Sequence, residues 1–177
     1  MSQRISGYSR TPGDQYETPE WVTLALIPHL PPFTGKVWEP AAANGQLAYA
    51  LAKAGLDVFT SDIRTGKDFL CTCPRASSDI DAVITNPPYT HAQKFIEHAL
   101  TLLDKHLITV IAMLLRIDYD SAKTRQHLFA TCPLFAKKVV LTRRIRWFPD
   151  STGSPSFNHC WMVWDKQHKG PPTLAYS

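Results

Sequence analysis

The sequence predicts an α/β chain, a mostly parallel seven-stranded sheet with helices on both faces and an antiparallel hairpin near its C-terminal end. Three observations carry that expectation. Helical and extended segments alternate through most of the 177 residues. The extended segments, above all residues 107–115, are near-continuous apolar runs, as strands covered on both faces must be. The last two extended segments have no helix between them, so they pair antiparallel.

Residues 1–17, rich in Gly, Ser, Thr and Arg without periodicity, read as a flexible arm. Thr18, Pro19 and Glu20 then open a helix: a hydroxyl cap, proline in the first helical position, an acid in the first turn. It runs to about Leu30, before Pro31-Pro32. A turn at Thr34-Gly35 leads into a strand over 36–40. Residues 46–54 are an Ala/Leu helix stopped by Gly55. Strands follow over 56–62, 67–70 and 80–85, the last running into Asn86-Pro87-Pro88-Tyr89. A helix covers 91–103, a strand 107–115 and a helix 121–130. Strands over 138–148 and 158–165 close the chain. The expected organisation is the arm, then one catalytic unit over 18–177 with no separate target-recognition domain.

Composition narrows the class. With 44% hydrophobic and 19% charged residues the chain can bury a core of its own. No apolar run approaches the ~20 residues of a membrane-spanning helix, and MSQRISGYSR lacks a signal-peptide core. The expectation is a cytoplasmic protein with Cys71, Cys73, Cys132 and Cys160 reduced. Cys71 and Cys73 lack zinc-site spacing, and His91 and His98 have no further ligand beside them, so no metal is expected. Charge is uneven: residues 1–115 sum to −2 and 116–177 to +6. Lys137, Lys138, Arg143, Arg144 and Arg146 cluster there, either as a solvated strand face or as a phosphate-contacting patch.

Two segments carry chemistry. Glu39, Pro40, Ala41, Ala42, Ala43, Asn44 and Gly45 form a run of small residues between a strand and its helix, where a ligand can approach the backbone. It lacks the Gly-Lys-Ser/Thr of a phosphate loop, and Glu39 suits a cationic or hydroxyl-bearing ligand. Asp62, at the next strand end, is placed for ribose hydroxyls. Asp68-Phe69 is placed to pair with an adenine amino group and cover its ring. Acids at successive strand ends point to a phosphate-free nucleoside. The second segment is Asn86 to Tyr89. Its prolines fix the turn and donate nothing, so the Asn86 side-chain oxygen and the Pro87 carbonyl can face one exocyclic amine, with Tyr89 as a stacking face.

These residues resemble the class I S-adenosylmethionine-dependent methyltransferases, specifically the amino-group DNA methyltransferases that modify adenine N6. Asn86 to Tyr89 matches their (D/N/S)PP(Y/F) motif. The resemblance implies a Rossmann-like fold and S-adenosylmethionine as cofactor. Glu39, Pro40, Ala41 and Gly45 are then its loop, Asp62 its ribose acid and Ile63 its adenine packing. Asp68 and Phe69 would be its adenine pair, Tyr16, Thr18 and Pro19 would lie at its methionine end, and Asn86 would also face it. Phe157 stands where an aromatic residue meets the flipped base. DNA is the implied partner, its phosphates met by the basic cluster and by Arg4 and Arg10. Two departures stand out: Ala43 replaces a common glycine, and only about a dozen residues follow the last expected strand. The compact form is similar to phage and prophage enzymes. A homodimer and a separate recognition partner both stay open, as do three other functions: an RNA amino-group methyltransferase, a protein-glutamine methyltransferase and an inactive nucleic-acid-binding module.

Overall fold

The computed structural model describes residues 16–75, 78–148, 155 and 157–177. One sheet contains β1 (Lys36–Glu39), β2 (Val58–Thr60), β3 (Ile80–Thr85), β4 (Val110–Arg116), β5 (Phe135–Val140), β6 (His159–Asp165) and β7 (Thr173–Tyr176), in the order β2-β1-β3-β4-β6-β5-β7. Strands β1 to β4 run parallel; β6 lies antiparallel between β4 and β5, and β7 pairs parallel with β5.

The pleat of β4 explains the two-sided core. Residues 110 to 115 are all buried. Ile111, Met113 and Leu115 join a cluster with Phe95, Ile96 and Ala99 of α3 (Ala92–Asp104). Val110, Ala112 and Leu114 join the other cluster, with Val22 of α1 (Glu20–Leu24) and Leu47 and Leu51 of α2 (Gln46–Lys53). β6 ties both faces down through indole donors. Trp161 Nε1 donates to the Val22 carbonyl and Trp164 Nε1 to the Leu128 carbonyl, each at 2.8 Å. At the amino edge, Asp81 accepts the Thr34 N–H (3.0 Å) and the Thr109 hydroxyl (2.7 Å). Gly35 lies so close to this strand that a Cβ there would meet the Asp79 carbonyl and sit 2.7 Å from the Asp81 Cβ.

β2 lies to one side of β1 and β3 to the other, so the winding reverses between β1 and β3. The crevice beyond their carboxyl ends is the topological switch point, where open α/β sheets bind ligands. Glu39 and Asn86 stand on its two banks.

Among the described residues the sheet has seven strands, but not the seven expected. Residues 67–70 are no strand: Asp68 Oδ1 accepts the Leu70 N–H at 2.9 Å and winds Phe69–Cys71 into a 3₁₀ turn. β7 supplies the seventh instead. Residues 121–130 form 3₁₀ turns, Tyr119–Ser121 and Lys123–Leu128, and the Leu128 carbonyl goes to Trp164 rather than to a helical ladder. The first α-helix stops at Leu24, and Pro28 sits in a 3₁₀ turn over Ile27–His29. Pro19, not Thr18, occupies its cap position. β5 starts earlier than expected and ends at Val140; just beyond it the Leu141 N–H still reaches the His159 carbonyl (3.2 Å) and the Thr142 N–H the Ser177 carbonyl (2.9 Å). Residues 143–148 lie beyond the sheet at its carboxyl edge. Among the described residues no helix is long and apolar enough to cross a membrane.

Candidate active site

The bank formed by β1 and β2 is acidic. Glu39 ends β1 and is 2% exposed, with Oε2 buried and unpartnered. Burial pushes its carboxyl up to about 8; a hydrogen bond from the Ala48 backbone opposes this, and Glu17 and Asp62 reinforce it. The small-residue loop folds over that carboxyl with its amides already taken. The Ala42 N–H goes to the Ser61 carbonyl (3.1 Å), Ala43 to Asp62 Oδ2 (2.9 Å) and Asn44 to Glu17 Oε1 (3.0 Å). Ala43 has φ 48° and Gly45 φ 88°, the left-handed bends that turn the chain into α2. Two of these amides bond carboxylates, so the loop is no phosphate cradle.

Asp62 Oδ1 also accepts the Arg64 N–H and Nε, both at 2.9 Å. Burial works against its ionisation, but the Arg64 and Ala43 hydrogen bonds outweigh that and hold its pKa below the usual range. Ile63 beside it is 68% exposed, an apolar surface open to a planar group. Phe69 does not fit its expected role. Its ring is 2% exposed and packs edge-on against Trp38 (5.0 Å) and His98 (4.8 Å), so it cannot lie over an adenine.

The bank formed by β3, β4 and β6 is aromatic and basic. Asn86 directly follows β3. Its Nδ2 donates to the Tyr16 carbonyl at 3.3 Å, while Oδ1 is buried without a partner. The turn behind it closes with the His91 N–H on the Pro88 carbonyl (2.8 Å). The Tyr16 ring opens a network of aromatic contacts. Tyr16 lies 6.1 Å from Tyr89, 5.3 Å from Trp147 and 5.9 Å from Phe148. Tyr89 stacks on His159 at 6.0 Å, and Trp147 meets His159 edge-on at 5.3 Å. Burial first, then the charge of Arg116, lower the His159 pKa to about 4, so the imidazole is neutral.

The basic cluster divides. Lys137 Nζ is turned to the His29 carbonyl (3.2 Å), and Lys138 is paired with Asp120 at 2.7 Å. Both are half-buried on β5, and each ammonium is already held by a partner within the protein. Arg143, Arg144 and Arg146 lie beyond the strand, exposed at the carboxyl edge. Arg143 covers Trp21 (4.3 Å), and Arg144 Nε donates to Asn158 Oδ1 (2.8 Å). Phe157 already carries the Arg116 guanidinium on its ring at 4.2 Å. Arg4 and Arg10 lie outside the described residues. Thr18 is buried and Pro19 half-buried at the start of α1.

Glu17, Trp147, Phe148 and His159 were missed from sequence. Trp147 is half-buried: it packs against the core cluster that holds Trp161 and also meets the rings of Tyr16 and His159. Tyr16 and Glu17, expected in the arm, are part of the site. Glu17 lies inside the segment of Tyr16, Thr18 and Pro19 that the resemblance places at the methionine end of the cofactor.

No protein-family model and no curated protein matches the chain. Solved structures do. The type IIG restriction endonuclease BpuSI matches 93% of this chain and 27% of its own, with TM-score 0.63 and 15% identity. A dimethyladenosine transferase from Plasmodium falciparum matches 85% of this chain and 62% of its own, with TM-score 0.58 and 14% identity. The 23S rRNA methyltransferase ErmE matches 89% of this chain and 70% of its own, at 0.52 and 15%. The chain has the Rossmann-like methyltransferase fold. It spans less than two thirds of the length of the first two of these proteins.

Proposed function

We propose that this chain is an S-adenosylmethionine-dependent methyltransferase acting on the exocyclic N6 amine of adenine in DNA. The observation that carries the reading is Asn86: a buried amide oxygen with no protein partner, at the switch point, among aromatic rings. An acceptor left bare in that position invites an N–H donor from a planar ligand.

The acidic bank fits the cofactor. Glu39 Oε2 lacks a partner, Glu17 and Asp62 add negative charge, and no phosphate cradle competes, which suits a cationic nucleoside. Asp62 would hold its ribose once Arg64 yields a lone pair, and Ile63 would pack on its adenine. Tyr16, Thr18 and Pro19 would border its methionine end, beside Pro40, Ala41 and Gly45. Bound there, S-adenosylmethionine supplies an activated methyl group and leaves as a neutral thioether.

The chain's own work is on the substrate amine. Asn86 Oδ1 and the Pro87 carbonyl accept hydrogen bonds from its two N–H groups, which favours a pyramidal nitrogen with a free lone pair. As the N–C bond forms, positive charge develops on that nitrogen beside these two oxygen dipoles. The proton then leaves to water; the alkylated amine is acidic enough to need no tuned base. Tyr89 and Trp147 offer faces for the unstacked base. Arg143, Arg144 and Arg146 supply charge for phosphates at the same edge.

RNA is the second reading, because two of the solved structures of the same fold are by name a dimethyladenosine transferase and an rRNA methyltransferase. Tritium transfer from labelled cofactor to DNA, RNA or protein separates these outcomes in one assay. In that assay Asn86→Ala is expected to lose at least ~100-fold in turnover while cofactor Kd stays within about threefold. Turnover near wild type in this variant would end the assignment. Cofactor binding without transfer to any substrate would favour a binding module.

A further inference from the structure

We propose that the backbone carbonyl of Tyr16 is the positioning group for the Asn86 amide, and that it makes asparagine, not aspartate, the residue that functions at position 86. The inference rests on the methyl-transfer reading and adds a requirement to it.

The two ends of a side-chain amide differ: Nδ2 only donates and Oδ1 only accepts. A carbonyl oxygen can pair only with the donating end. Asn86 Nδ2 donates to the Tyr16 carbonyl at 3.3 Å, and Oδ1 is thereby the end left without a protein partner. The carbonyl is itself held from both sides. The Tyr16 ring is wedged against Trp147 (5.3 Å), Phe148 (5.9 Å) and Tyr89 (6.1 Å). On the other side Glu17 Oε1 holds the Asn44 N–H at 3.0 Å, and Thr18 is 3% exposed. The acceptor cannot swing aside without breaking these contacts, so the amide has one favoured orientation.

Aspartate has the same shape and a different pairing rule. Its carboxylate would set one acceptor against another, in a half-buried site where an unmatched contact is costly. Two escapes exist. The side chain rotates away and loses its grip on the amine, or it takes up a proton and donates to Tyr16 as the amide does. The (D/N/S)PP(Y/F) pattern admits either residue; the Tyr16 carbonyl supplies the reason for asparagine in this chain.

The test is Asn86→Asp in the full chain, assayed by tritium transfer to duplex DNA from about pH 5 to about pH 8.5, with cofactor Kd measured by calorimetry. Carbon-13 NMR follows the introduced carboxyl. The expected result at the alkaline end is a loss of about 100-fold or more in turnover, with cofactor Kd within about threefold. Activity then recovers as pH falls, tracking protonation of the introduced carboxyl, which titrates above the ordinary aspartate range. Wild type run in parallel accounts for the titrating and charged neighbours: Glu17 beside Tyr16, Glu39 on β1, Asp62 after β2, Tyr89 in the following turn, and Arg116 and His159 on β4 and β6. Asn86→Ala should stay inactive at every pH.

Turnover within about threefold of wild type at alkaline pH would overturn the proposal, as would a carboxyl titrating at the ordinary aspartate value of ~3.9. Should the variant fail to fold, the wild-type Asn86 side-chain amide is read by nitrogen-15 NMR instead. One Hδ2 shifted downfield and protected from exchange is expected; two equivalent, fast-exchanging protons would overturn it. If wild type transfers methyl groups to nothing, the functional reading fails, and the NMR results still decide the role of the carbonyl.

Discussion

The two banks of the crevice are built on opposite principles. On the β1–β2 bank, carboxylates organise backbone: Asp62 and Glu17 take the amides of Ala43 and Asn44, and Glu39 lies buried beneath. On the β3–β4–β6 bank, rings organise side chains: Tyr16, Tyr89, Trp147 and His159 pack on one another, and the Tyr16 carbonyl takes the Asn86 amide. The first bank suits a small cationic ligand held along its length. The second suits a planar group brought in from outside, with arginines along the rim. Residues 16–18 join the two, because consecutive residues bond to each bank. The difference is one of construction: carboxylates fix loop amides on one bank, and ring packing builds the other.

The largest expected effect comes from the buried titratable group each bank carries. Glu39 has its pKa raised from 4.5 to about 8, so between those values the folded chain keeps a proton that the unfolded chain has lost. Stability therefore falls as pH rises through that window, by at most about 1.4 kcal/mol per unit. His159 has its pKa lowered from 6.5 to about 4, so there the unfolded chain binds a proton that the folded chain refuses. Stability falls as pH drops through that window. Between 4.5 and 6.5 the two slopes oppose each other, and above 6.5 the Glu39 slope stands alone. Urea denaturation at stepped pH should show Glu39→Gln abolishing the decline between about pH 6.5 and about pH 8, and His159→Phe easing the decline on the acid side. An unchanged alkaline decline in Glu39→Gln would mean that its carboxyl ionises freely in the folded chain.

A smaller effect separates the banks by ligand. Trp147→Ala should weaken binding of an adenine-containing oligonucleotide by about 5- to 150-fold, the worth of one stacking face, and leave cofactor Kd within about twofold. Asp62→Asn should do the reverse, weakening the cofactor and sparing the oligonucleotide. If each variant lowers both affinities alike, the division between banks is wrong and the crevice is one continuous pocket.

What was legible in the sequence follows the same division. On the acidic bank Glu39 and Asp62 are expected at strand ends and stand there, after β1 and β2, but Glu17 comes from a segment that no spacing ties to them. The aromatic bank is assembled by distant pieces, Tyr16, Tyr89, Trp147 and His159, and no local pattern joins them. Residues 138–148 look like one continuous strand, but β5 ends at Val140. Residues 67–70 failed in the same way: an extended-looking tetrapeptide is wound up by the Asp68 side chain bonding its own backbone two residues on. Lys137 and Lys138 look like part of a charge patch, but their partners, the His29 carbonyl and Asp120, come from elsewhere in the chain.

The smallest effect concerns Ala43, which stands where glycine is common in the family the sequence resembles. Its φ of 48° lies in the left-handed region. There the Cβ crowds the following carbonyl, at a cost of about 1–2 kcal/mol for any residue but glycine. Ala43→Gly removes that strain but frees the unfolded chain, which returns about 0.4–1 kcal/mol to the denatured state. The net expectation is a gain of ~0.5–1 kcal/mol, read as a higher urea midpoint with an unchanged slope. Ala42→Gly is the control. Ala42 has no positive φ to relieve, so the same chemical change one residue earlier should lose about 0.4–1 kcal/mol. The two variants delete the same methyl group from the same loop, so opposite signs would isolate the backbone conformation as the cause. If both destabilise, the amides that Asp62 and Glu17 hold must depend on stiffness at Ala43 more than on relief of its strain. The acidic bank would then be tensioned by the loop rather than merely covered by it.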